Sequence, residues 1–378
     1  MKITLYIAFI FAILSSCSKH SSVMSEDKVL NIDCCEITNE VFNLSEIASS
    51  FSIIPLETND TCLIGEISKL KFYNDKILIL DKILSARLFV FNKEGKYLFD
   101  IGRRGGGPDE YLQINDFSID RKNNIIYVLC DKKKVFSYSL SGQYMGRTDV
   151  DFFADAMEYK DNRFYFVCDR MDRGNLIVTD MKGAIEYEDF PNEQMGDNLL
   201  ILIHPFLQRD STLLYTRYLD NNIYEIHLDT SKVAYKVNFG KDEIAFDDLK
   251  DITHQKVKDK LAHSRGKIKY LIENKDYMQM LFFDNNIPCI AVYNKRNRTN
   301  NVHFFKNYID DLTGLPSLLF EYVTEQDEFV AVVQPSVVRE TDSLTEKGQE
   351  VFKTVDLSED NNPILYLVNI KTEEQKNR

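Results

Sequence analysis

Apolar and polar residues alternate with a period near two along most of the chain, in short runs separated by turns, which is the pattern of half-buried strands. One stretch reads DFSID (116–120), a polar gap, IIYVLCD (125–131), three lysines, VFSYSL (135–140), Ser-Gly and QYMGRT (143–148). That is four strands with a glycine turn before the last. The polar residue ending the second strand recurs as Asp81 (KILILD), Asp131 (IYVLCD), Asp169 (FYFVCD), Asp220 (YTRYLD), Asn294 (CIAVYN) and, more weakly, Gln334 (EFVAVVQ). Four-stranded units repeating every 40 to 50 residues or so are the size of propeller blades, and six anchors predict six blades.

One interval is longer. It contains residues 241–276, whose apolar spacing predicts a small helical insertion of one or two amphipathic helices. The last unit is short of a strand, while FSIIPLET (51–58) stands alone before the first full unit. A strand from the N-terminus completing the final blade would remove the open edge of the ring. Residues 336–362 form an acidic, irregular excursion within that blade. The predicted fold is therefore all-β: a six-bladed β-propeller with four-stranded antiparallel blades, an N-terminal strand closing the last blade, and the helical insertion near 241–276.

The chain opens Met1-Lys2, runs apolar from Ile3 to Leu14 and reaches Leu14-Ser15-Ser16-Cys17. The apolar run is too short to span a bilayer and reads as a signal peptide, with small residues placed directly before a Cys as in a lipobox. The expectation is a signal peptide over 1–16, acylation of Cys17, and a flexible polar tether over 17–40 ahead of a single propeller domain, 41–378. Ser18 after the Cys, in place of an Asp, favours an outer-membrane lipoprotein facing the periplasm or the surface.

Composition agrees with strands. Twenty Tyr and 25 Phe stand beside no Trp, in a chain that is 44% hydrophobic and 28% charged. Lys and Arg number 46 against 59 Asp and Glu, a net charge of −13, which argues against nucleic-acid binding by broad phosphate neutralisation. Cys130 and Cys168 fall at matching places in apolar strands and read as small buried hydrophobes.

A lipobox followed by Pro-Leu-Glu-Thr (55–58), Leu-Ile-Gly-Glu (63–66) and IGRRGGGPDEY (101–111), with strand-Asp repeats of NHL type, resembles the six-bladed β-propeller lipoproteins of Bacteroidetes. The resemblance covers about residues 40–370 and is thin after 240. It implies a fold and an envelope location, and supplies no activity.

If each blade runs as strands A to D from the axis outward, B–C loops and the D–A links between blades share one face. That face collects the unusual segments: the Gly-rich link 102–108, the insertion and the excursion. Loops on a rigid scaffold carry function, so the site is expected there. The candidate ligand-binding residues are Arg103, Arg104, Gly105, Gly106, Gly107, Glu110, Tyr111, Asp131, Lys133, Asp169, Arg170, His204 and Arg296. The cations either clamp an anion or pair with neighbouring acids. The three glycines either form an anion-cradling nest or make a tight crossover held by Glu110 and Tyr111. The blade-end Asp residues also suit Asx-type turns. His204, at the start of blade four, either is packed or partly exposed, or faces the central channel.

None of the six His forms a spaced zinc pair, there is no DxDxDG loop, and no catalytic set, metal or cofactor is assigned. The expected function is a non-enzymatic binding or scaffold module, anchored to the membrane by its lipid, for an envelope protein partner or an anionic glycan. The alternative is a hydrolase or lyase acting on a sugar, lactone or peptide derivative at the channel mouth.

Overall fold

The structure is a computed structural model and describes residues 29–168, 173–191, 204–209, 212–217, 219–244, 246–249 and 252–371. Cys17, Asp169 and Arg170 lie outside the described residues. Six four-stranded antiparallel sheets form the ring. From the axis outward, blade one comprises Lys69–Tyr73, Lys76–Asp81, Arg87–Asn92 and Tyr97–Asp100, and blade two Ile114–Asp120, Ile125–Cys130, Lys134–Ser139 and Tyr144–Asp149. Blade three comprises Ala156–Lys160, Arg163–Val167, Gly174–Thr179 and Ile185–Pro191; blade four Phe206–Arg209, Thr212–Thr216, Asn222–Ile226 and Ser231–Asn238. Blade five is built of Arg265–Glu273, Tyr277–Asp284, Ile287–Asn294 and Thr299–Phe304. Two-residue turns such as Asn74-Asp75 and Asp161-Asn162 have positive φ at both positions, which Asn and Asp tolerate and which matches the strand twist.

Alternation in the strands fills the gaps between blades. Leu78, Leu80, Leu88 and Val90 of blade one meet Phe117, Val128, Phe136 and Tyr138 of blade two, all buried, and a comparable cluster lies at every other junction. Each such side chain contributes about 1.5–3 kcal/mol relative to exposure. Cys130 and Cys168 are buried in these layers.

Blade six closes the ring as its missing strand requires. Phe320–Val323, Phe329–Val333 and Ile364–Ile370 come from the end of the chain, and the outer strand is Ala48–Pro55. It pairs antiparallel with Ile364–Ile370, Ile53 opposite Tyr366 and Phe51 opposite Val368, and the Phe51 and Tyr366 rings stack at 5.5 Å.

Three expectations need correction. The tether does not run to residue 40: Leu30–Asp33 adds a parallel fifth strand to blade four against Tyr235–Asn238. Ile32 and Cys34 are fully buried there, Thr38 bridges His303 of blade five, and Phe42-Asn43 pairs with Tyr308-Ile309. The cause is a short apolar alternation, Leu30, Ile32 and Cys34, hidden in a polar segment. The helical insertion is also shorter than 241–276. A helix α1 spans His254–Ala262, capped by Thr253, after two short 3-10 turns, and Arg265–Glu273 is the inner strand of blade five. Ile268, Leu271 and Ile272 have helical spacing, yet pairing with Tyr277–Asp284 decides the outcome. Consequently Asn294 ends the third strand of its blade, and Asp284 ends the second. The excursion, finally, is structured. Helix α2 (Pro335–Arg339) and helix α3 (Glu346–Phe352) bury Val338 and Phe352 in the core between blades five and six.

Candidate functional site

The Gly-rich link satisfies itself. Glu110 turns back into it, accepting a hydrogen bond from Gly107 N at 2.8 Å and pairing with Arg103. The Gly107 backbone bond first, then the Arg103 guanidinium, hold the Glu110 carboxyl below its usual range. Gly105 N donates to Tyr111 O (2.9 Å) and Tyr111 N to Arg103 O (3.2 Å). Tyr111 itself is 1% exposed and packs between blades one and two, so its side chain is not open to a ligand. The nest and the crossover are one structure: a tight link whose anion is the chain's own carboxylate.

The repeated blade-end Asp does the same work at larger scale. Asp131 accepts from Leu112 N (3.1 Å) and Gln113 N (2.9 Å) in the preceding link, and from Lys134 Nζ at 2.9 Å. Burial opposes its charge, but Lys134 and these amides hold its carboxyl low. Asp81, fully buried, likewise accepts from Gly65, Leu84 and Ser85. Each ties a B–C loop to the link before it.

Most predicted cations are engaged. Lys132 pairs with Asp155 at 2.6 Å, Arg173 with Glu188 at 3.1 Å, and Lys133 Nζ lies 4.1 Å over the Phe153 ring. Arg296 pairs with Asp276 at 2.5 Å in the turn after the third strand of blade five. Its expected place beside Arg103 is wrong: the one-strand shift in blade five puts it on the opposite face.

What the elaborated face leaves open is a cleft of about 410 Å³ between blades one and two. Its wall includes Ile83, Leu84 and Leu112, which are 59%, 67% and 62% exposed. Lys82, Arg104 and Lys132 edge it, and among the described residues Lys82 and Arg104 have no ion-pair partner. Of these, sequence reasoning singled out Arg104 and the lysine run but missed Lys82 and the leucines. The overlooked signal is an Ile-Leu pair inside a B–C loop, where turn residues belong.

The cleft leads to the axis. Lys82, Asn115 and Asp155 also line a throat of about 30 Å³ that His204 shares with a chamber of about 120 Å³. His204 thus lies where throat and chamber meet. Burial pushes its imidazole down to about 3, with Lys69, Lys82 and Lys71 adding to the effect, so the ring is neutral. Inner-strand residues missed by the sequence reading form a buried ion network along throat and chamber. Lys69 meets Asp116 at 2.7 Å, Lys71 meets Glu158 at 2.7 Å, and Ser118 donates to Glu158. Lys69 and Lys71 alternate in SKLKFY, a period-two signature of an inner strand facing a wet channel. Among the described residues no group of three or more His, Cys, Asp or Glu is placed to hold a metal.

No functionally curated protein matches the sequence. A crystal structure of a Bacteroides fragilis protein described as exported superposes with a TM-score of 0.77 at 20% identity, covering 91% of this chain and all of that one. A Bacteroides vulgatus protein of the duf4221 family superposes at a TM-score of 0.54 and 10% identity, over 88% of this chain and 99% of its own. These likenesses are of fold. A family model described as a 6-bladed beta-propeller matches residues 18–332. With its blades, its closure and that match in agreement, the chain belongs to the DUF5128 family of six-bladed β-propellers.

Proposed function

We propose that the protein is a lipid-anchored outer-membrane propeller of the cell envelope that binds a protein partner through the cleft between blades one and two. The observation that carries this reading is the exposure of Ile83, Leu84 and Leu112 together around one concave site. Clustered exposed apolar side chains rimmed by polar groups mark interaction sites rather than ordinary surface. Lys82 and Arg104 complement a partner segment that carries apolar side chains flanked by acids. A protein partner is favoured over an anionic glycan, because most predicted cations already hold a carboxylate or a ring. The Ser15-Ser16-Cys17 motif supports the anchor, and the exported Bacteroides fragilis neighbour is consistent with that address.

The test is affinity purification of the full-length protein from gently solubilised native membranes, beside the double variant Leu84→Glu, Leu112→Glu. A stoichiometric companion lost in the variant, at unchanged melting temperature, supports the reading. A companion retained by the variant overturns it. Cys17→Ala is expected to release the protein from membranes.

A further inference from the structure

The channel carries chemistry that ring closure does not require. His204 stands where chamber and throat meet, its ring 5.3 Å from that of Tyr322 and 6.2 Å from that of Tyr270. Its Nε2 is buried and has no hydrogen-bond partner among the described residues. In a native fold such an atom calls for an explanation, and a bound water, ion or ligand is the usual one.

The charges around it specify the ligand. Lys69 is balanced by Asp116, Lys71 by Glu158, and Lys132 by Asp155. Lys82, which lines the same throat, has no ion-pair partner among the described residues. The throat therefore holds one uncompensated positive charge. That cation, exposed at the throat, meets one carboxylate, while Glu321, which lines the chamber and has no ion-pair partner among the described residues either, leaves no surplus for a second anionic group. Beyond the throat the chamber offers apolar wall from Phe206, Leu271 and Tyr322, and polar groups from Gln208 and Glu321. The chamber, about 120 Å³, has room for a small organic body, with polar groups placed to meet a hydroxyl.

We infer that throat and chamber form a binding site for a short organic monocarboxylate, separate from the protein-binding cleft, with Lys82, Lys69 and His204 receiving the carboxylate and the chamber its body. The neutral imidazole contributes a hydrogen bond and keeps its own charge out of the balance. Lys82 borders both cleft and throat, which places the carboxylate end toward the elaborated face.

The experiment is calorimetric titration of the full-length protein in detergent with sodium lactate, with sodium acetate and sodium phosphate in parallel. Saturable binding of lactate is expected, with no saturation by phosphate over the same range. His204→Gln and Lys82→Met are each expected to weaken lactate binding by about tenfold or more. Lys82 is exposed, so Lys82→Met leaves the fold intact and remains informative should His204→Gln destabilise the ring. Absence of saturation by either carboxylate, phosphate binding as tight as lactate, or lactate binding untouched by both substitutions would overturn the inference. The variant Leu84→Gln, Leu112→Gln, which adds no charge beside Lys82, is expected to lose the protein companion and keep lactate binding, which separates the two sites.

Discussion

Glu110 fills the loop that Gly105 opens: its carboxylate lies where a β-carbon at Gly105 would have to stand. The glycine is therefore required by a side chain five residues downstream rather than by its own backbone torsions. An internal anion has taken the position that a phosphate or carboxylate ligand would occupy in a nest.

Replacing Gly105 and Gly106 separately checks this relationship. Gly105→Ala expels Glu110 and frees Arg103, and is expected to lower the melting temperature by about 1–2 °C, as a loss near 1 kcal/mol does in a domain of this size. Gly106 has nothing within 4 Å of its would-be β-carbon, so Gly106→Ala is expected to be neutral. Equal effects in thermal denaturation would refute the assignment.

The N-terminal lap on blade four makes a second prediction. Ile32 is fully buried, so Ile32→Ala is expected to cost about 2–4 kcal/mol in urea unfolding. A free tether would leave the midpoint where it was.

In the channel, Glu158→Leu removes the partner of Lys71 and leaves a buried ammonium uncompensated, an expected loss of about 3–5 kcal/mol. The double variant Lys71→Met, Glu158→Leu is expected to recover most of that loss. A double-mutant cycle reads the coupling directly, and additive effects would mean that the pair is not a unit.

Lys71 also sets a pH dependence. Burial lowers its ammonium from 10.5 to about 8, with Lys69 on its own strand adding to the fall and Glu158 of blade three and Asp116 of blade two opposing it. Between about 8 and 10.5 the unfolded chain holds the extra proton, so this group makes stability rise with pH through that window. Below about 8 both states are protonated and the slope vanishes. Unfolding of the protein minus that of Lys71→Met, followed from pH 7 to 10, isolates the contribution. Over the same range the channel loses one positive charge, and lactate affinity is expected to fall above about pH 8.

Blades one to three were legible because strands such as IIYVLC and KILILD alternate cleanly and their turns carry Asn, Asp or Gly. Blade five was misread by one strand, since Ile268, Leu271 and Ile272 satisfy helical and strand spacing alike and only cross-strand pairing separates them. The structural use of Glu110 and of the blade-end Asp was open to local reasoning, because each partner lies within a few residues or in the adjoining link. The cleft and the ion network were not. Whether Leu84 is exposed, or whether Lys71 meets Glu158 across 87 positions, depends on how the ring curls.

The first strand of the fold lies on blade four, while the strand that seals the ring begins at Ala48. Tension arriving from upstream of Leu30 therefore meets a separate, sacrificial grip before it reaches the seal. Like the clamp that takes the tug on an electrical cord, residues 30–33 let a pull on the N-terminus be absorbed at the rim while the joint at Ile53 and Tyr366 stays unloaded.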